Sequence, residues 1–152
     1  MARVGGIFLL AFGVLLSLGC SAQRTTNATQ MNPTTLENVQ WTLLQLDGEA
    51  VKSNARGAPT LSLASKDRRL SGFAGCNRMI GGYELDGEAV KFTGMATTRM
   101  ACIDVTPEEP LLRALAATTR WRVTGNTLEL FDASGTVRTR WTATMIESGD
   151  GK

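Results

Sequence analysis

The side chains best equipped for chemistry in this 152-residue chain are three cysteines, some close-set carboxylates and a run of arginines near the C-terminus. Cys76 and Cys102 bound a glycine-rich stretch, SGFAGCNRMIGGYELDGEAVKFTGMATTRMAC, that runs from Ser71 to Cys102. A redox thiol pair wants C-x-x-C spacing and a metal site wants further ligands, and this stretch offers neither. Glu84, Asp86 and Glu88 bracket an Asp-Gly turn, and Glu108 adjoins Glu109. Paired carboxylates perform acid–base work when burial splits their proton affinities, but at turns and helix starts they usually meet water or the helix dipole. Gly72, Gly75, Gly81 and Gly82 match neither G-x-G-x-x-G nor G-x-x-x-x-G-K-[ST], so they read as tight corners rather than a phosphate cradle. The chain has no histidine. That excludes imidazole bases, Ser-His and Cys-His nucleophile pairs and imidazole-bound metals. No catalytic residue, cofactor site or metal site is therefore expected.

The arginines Arg120, Arg122, Arg138 and Arg140 are the one surface feature suited to an anion or a lipid headgroup. If their strands are sequential neighbours, the outer two lie ~9.6 Å apart with Glu129 between them, which favours cross-strand pairing on a wet face. The formal charge is +2, and removing residues 1–19 deletes only Arg3. A near-neutral domain makes no electrostatic case for nucleic acid.

The elements that position these residues begin with an export signal. Residues 1–19 open on Arg3, continue as an uncharged apolar run and end at Gly19, before Cys20 and a polar stretch. The competing reading, an uncleaved anchor, has only Val4 to Cys20 to span with, at the bottom of the spanning range and interrupted by glycines. Gly19-Cys20 resembles the lipobox of bacterial lipoproteins, although Ser17 stands where that pattern prefers leucine. The resemblance implies that Cys20 is acylated, with enough chains for stable membrane anchoring. Ser21 after the cysteine, in place of aspartate, points to the outer membrane of a Gram-negative cell, facing the periplasm. Residues 20–39 are rich in Thr, Asn, Gln and Ala and read as a flexible tether reaching at most ~65 Å.

The folded domain is expected over residues 40–144, with a polar tail at 145–152. WTLLQL, PTLSLAS, RRLSGFAG, YEL, EAVKF, RWRVT, TLELF and TVRTRWTAT are short alternating runs separated by turn signals such as Asp47-Gly48, Asp86-Gly87 and Gly125-Asn126. About eight such strands predict a mainly β fold, a small antiparallel barrel. TPEEPLLRALAATT breaks the alternation. Thr106 and Glu109 fit a capping box, Pro107 fits the first helical position, and Leu111, Leu112, Leu115, Ala116 and Thr119 share one face of a short covering helix. With Cys20 acylated, Cys76 and Cys102 remain, and in an oxidising compartment their pairing is the leading reading, ahead of free buried thiols or a functional pair. The bridge would stabilise the domain by roughly 3.5 kcal/mol.

The sequence is similar to the META-domain family, which includes the heat-inducible bacterial protein HslJ. The likeness rests on Trp41, Pro59-Thr60-Leu61, Gly72, Gly75-Cys76-Asn77, Gly82-Tyr83, Thr98, Met100-Ala101-Cys102, Glu109, Leu112, Leu115, Leu128-Glu129-Leu130 and Gly135, and spans Gln40 to about Thr142. It implies a small β-barrel with one helix, often exported and lipid-anchored, and no established chemistry. The expectation is a non-enzymatic, monomeric envelope lipoprotein acting as a stress-related or envelope-integrity interaction module. Its partners would be the membrane, through the anchor, and an envelope protein. The alternative is a carrier of a small apolar ligand or lipid inside the barrel.

Overall fold

The computed structural model describes residues 35–103 and 106–144. Cys20, the expected signal at 1–19, the tail at 145–152 and the tether up to residue 34 lie outside the described residues. The strands are β1 (Gln40–Leu46), β2 (Glu49–Ala50), β3 (Thr60–Ala64), β4 (Arg69–Phe73), β5 (Arg78–Asp86) and β6 (Ala89–Thr97). Helix α1 (Glu108–Ala116) follows, and β7 (Thr118–Thr124), β8 (Thr127–Asp132) and β9 (Val137–Thr144) complete the chain. Every pairing is antiparallel, in the order β2-β1-β3-β4-β5-β6-β7-β8-β9, and β1 pairs again with β9 to make the sheet ring-like. Eight strands form the ring, as the alternation predicts. The ninth, β2, is the short return of the Asp47-Gly48 hairpin and takes the end of the β1 edge that β3 leaves open. Two residues cannot show a period, so this strand is missing from the sequence reading.

Alternation decides what lies inside. Leu61 and Leu63 are buried between the part-exposed Ser62 and the exposed Ala64, and Val90 and Phe92 are buried on either side of exposed Lys91. Trp41, Trp141, Leu128 and Leu130 are 0% exposed and fill the ring with side chains. Phe73 and Trp121 are only partly buried. Trp121 instead donates its indole N–H to the Gly87 carbonyl at 2.9 Å, beside the narrow β6–β7 seam, where Ala89–Arg120 is the register pair.

Two boundaries differ from expectation. The packed chain begins before Gln40: Leu36 is 0% exposed, and its carbonyl accepts the Trp41 indole N–H at 3.0 Å. One apolar residue in a polar stretch gives no periodic signal, yet it seals the end of the core. The helix begins at Glu108 rather than at Thr106, with Pro107 as its N-cap and no side-chain cap bond. Glu109 does not reach back to complete a capping box but pairs with Arg113 one turn on, and Glu108 turns toward β5. Leu111, Ala114 and Leu115 form the buried face, and Thr119 belongs to β7. Packed against β1, β6 and β9, α1 covers one end of the ring.

Candidate functional site

The disulfide links Cys76, in the turn before β5, to Cys102, in the connection leading to α1, with Cα atoms 6.1 Å apart. Gly75 makes the turn possible: its φ of +99° lies where side chains are disfavoured, and an added Cβ would sit 3.0 Å from the Pro107 ring. The next residue, Asn77, is 4% exposed and acts as a hub. Its Oδ1 accepts from the Met100 N–H at 2.8 Å and the Thr98 hydroxyl at 2.9 Å. Its Nδ2 donates to Glu108 Oε1 at 3.2 Å, while its own backbone N–H donates to Glu108 Oε2 at 3.0 Å. One amide thus ties the GCN and MAC motifs to the start of α1. The cysteine sulfurs and a Glu108 oxygen lie within 4.8 Å of one another. With the sulfurs bonded together no thiolate is available as a ligand, and a single carboxylate falls short of a metal's donor set.

Beside the disulfide, a groove of about 730 Å³ lies over the outer face of β3, β4 and β5. Pairing puts Ser62, Ser71 and Ile80 in one cross-strand row and Thr60, Phe73 and Arg78 in another. Arg56, from the loop after β2, and Met100 complete the walls. Ile80 and Met100 are 50% and 51% exposed, two of the four exposed large apolar side chains among the described residues. The sequence reading missed this place; its one available signal was Ile80, an apolar residue at an outward position.

The expected arginine patch is largely neutralised. Glu129, on the middle strand, accepts from Arg140 Nε at 2.8 Å and from Arg122 at 2.6 Å. The hydrogen bond from Arg140 leads in holding its carboxyl below the usual range, with Arg122 adding to it against the cost of burial. Arg138 pairs with Asp47 across β1 and β9 and lies near Asp132, so its own proton is held more tightly than usual. Asp132 is lowered mainly by the Ser134 hydroxyl. Arg120 and Arg122 each lie over the Phe131 ring. The structure brings the four arginines together, but as partners of carboxylates and an aromatic ring.

Among the described residues, Tyr83 is the most perturbed group. Its hydroxyl donates to Glu37 Oε1 at 2.5 Å, with the Ala64 carbonyl oxygen 3.0 Å away, and Arg68 reaches the same Glu37 oxygen at 2.6 Å. Burial first, then the hydrogen bond and charge of Glu37, push the phenol up to about 12. This cluster staples the segment carrying Leu36 onto β3 and β5.

The expected glycine corners are of two kinds. Gly72 and Gly81 sit within strands, where an added Cβ would meet the Thr60 carbonyl oxygen and Met95 Sδ respectively. They permit close approach rather than turning.

No curated protein matches the chain. An NMR structure of a protein from Burkholderia xenovorans is similar, with a TM-score of 0.60 and 28% identity over 72% of this chain and 84% of its own. A second NMR structure has a TM-score of 0.55 and 24% identity over 70% and 90%, a likeness of fold. The META domain model matches residues 34–145, from just before the buried Leu36 to just past the end of β9, and the chain belongs to the META domain family.

Proposed function

We propose that this chain is a non-enzymatic interaction module of the bacterial cell envelope. It is exported, held at the outer membrane by acylated Cys20, faces the periplasm as a monomer, and shares the stress-related character of the HslJ-like proteins. The observation that carries this reading is the placement of space: side chains fill the ring, and the 730 Å³ groove lies outside it. That placement favours a partner settling on the surface over a small apolar ligand enclosed in the barrel. Support for the absence of catalysis comes from the histidine-free sequence and from carboxylates engaged with arginines and amides. The 15 residues between Cys20 and Leu36 reach at most roughly 50 Å, which keeps the groove near the membrane.

The test places a photo-crosslinking side chain at Ile80 or at Leu44, 44% exposed, in the full-length chain in living cells. An envelope adduct from position 80 and none from 44 is expected, as is loss of lipid mass and of membrane association in Cys20→Ala. Equal adducts from both positions, none from 80, or a Cys20→Ala chain that stays membrane-bound would overturn the reading.

A further inference from the structure

Resting on the groove as working surface, we infer that it binds one acidic amphiphile, with a carboxylate head on Arg56 and Arg78 and a single alkyl chain along Phe73, Ile80 and Met100.

The charge argument comes from comparing arginines. Among the described residues, Arg68, Arg69, Arg113, Arg122, Arg138 and Arg140 pair with carboxylates, and Arg120 lies over Phe131. Arg56, Arg78 and Arg99 have no carboxylate or aromatic partner among the described residues and are exposed, and of the three Arg56 and Arg78 line this one groove. Guanidinium groups left without an anion beside half-exposed Ile80 and Met100 complement a molecule with an acid at one end and hydrocarbon at the other. Their planar forks suit a carboxylate in particular.

Other occupants fit less well. A peptide strand adds to a free backbone edge, but β4 is hydrogen-bonded along both edges, by β3 and by β5, so this floor offers side chains alone. A bilayer surface is held by clusters of about four to eight basic residues at ~1 kcal/mol each, far more than these two. The volume sits within the range of about 300–1,000 Å³ usual for a single bound molecule.

The test uses the full-length acylated protein in phosphatidylcholine nanodiscs, a diazirine-bearing long-chain fatty acid as probe, and peptide mass spectrometry. Label is expected on β5 and on the segment holding Met100. Palmitate should compete about tenfold or more better than hexadecanol, and Arg56→Gln with Arg78→Gln should cut labelling by a similar factor, since charged hydrogen bonds are at stake. Equal competition by acid and alcohol, which needs no variant, overturns the carboxylate, as does undiminished labelling of the folded double variant. Phosphatidylglycerol discs that suppress labelling as well as palmitate does overturn the single chain in favour of a bilayer headgroup. Absence of label from the groove, while in-cell adducts still form at Ile80, overturns the amphiphile and leaves the proposed function standing.

Discussion

Tyr83 is the chain's only tyrosine, so tyrosinate absorbance reads its titration without overlap. Burial and Glu37 hold its proton to about 12, against about 10 in the unfolded chain. Below pH 10 the phenol is neutral in both states. Between about 10 and 12 the unfolded chain loses the proton first, so stability falls as pH rises through that window, by about 2 to 3 kcal/mol in all. Tyr83→Phe should lose about 1–2 kcal/mol at neutral pH, through the hydrogen bond to the charged Glu37, and should lack that part of the alkaline decline. A midpoint near 10 in the native protein would show that neither burial nor the Glu37 contact holds the phenol. Asn77 offers a second test, by urea unfolding. Asn77→Ala strips the Met100 N–H and Thr98 hydroxyl of their acceptor and Glu108 of a donor, at an expected cost of about 2–4 kcal/mol. Asn77→Asp keeps the acceptor but sets a second carboxylate against Glu108, so it should not rescue at neutral pH.

Strands make the glycine argument specific. Gly72 in β4 lies under the Thr60 carbonyl, so Gly72→Ala forces backbone apart and should cost more than about 2 kcal/mol in thermal or denaturant unfolding. Gly87, in the β5–β6 turn, has φ +56° and open space around it, so Gly87→Ala should cost only about 1 kcal/mol. Equal costs would mean that β3 and β4 can yield. The contrast also marks what sequence can convey about an element. Asp86-Gly87 between YEL and EAVKF announces a hairpin through local chemistry, and Leu61-Ser62-Leu63 announces a half-buried strand through its period. Gly72 is legible as a glycine but not as a contact, because the atom it avoids is twelve residues away. The helix start escapes the sequence for a related reason: the capping box describes Thr106 and Glu109 in isolation, while in the fold Glu109 pairs with Arg113 and Asn77, from before β5, takes Glu108. The groove was hidden because it forms only when three strands set Ile80, Phe73 and Arg78 side by side.

At the scale of the whole molecule, the disulfide decides how tightly the loop between β6 and α1 is bound to the ring. The β6–β7 seam has a single register pair, and α1, which follows the bridged connection, packs against β6. Cys76 anchors in the buried floor before β5 while Cys102 lies exposed, so the bridge fastens the connection to the ring from its outer side. Asn77 reinforces the same junction, so the two contributions should couple. Closing a separation of 26 residues restricts the unfolded chain by about 3.5 kcal/mol. Cys76→Ala with Cys102→Ala should lower stability by about 3 kcal/mol, and reductant should lower the wild type by a similar amount while leaving the double variant unchanged. If the bridge also positions Met100, reduction should weaken labelling of the groove by the fatty-acid probe under conditions where the protein is still folded. Unchanged labelling would show that the brace serves stability alone and that the Asn77 contacts suffice to hold the wall of the groove.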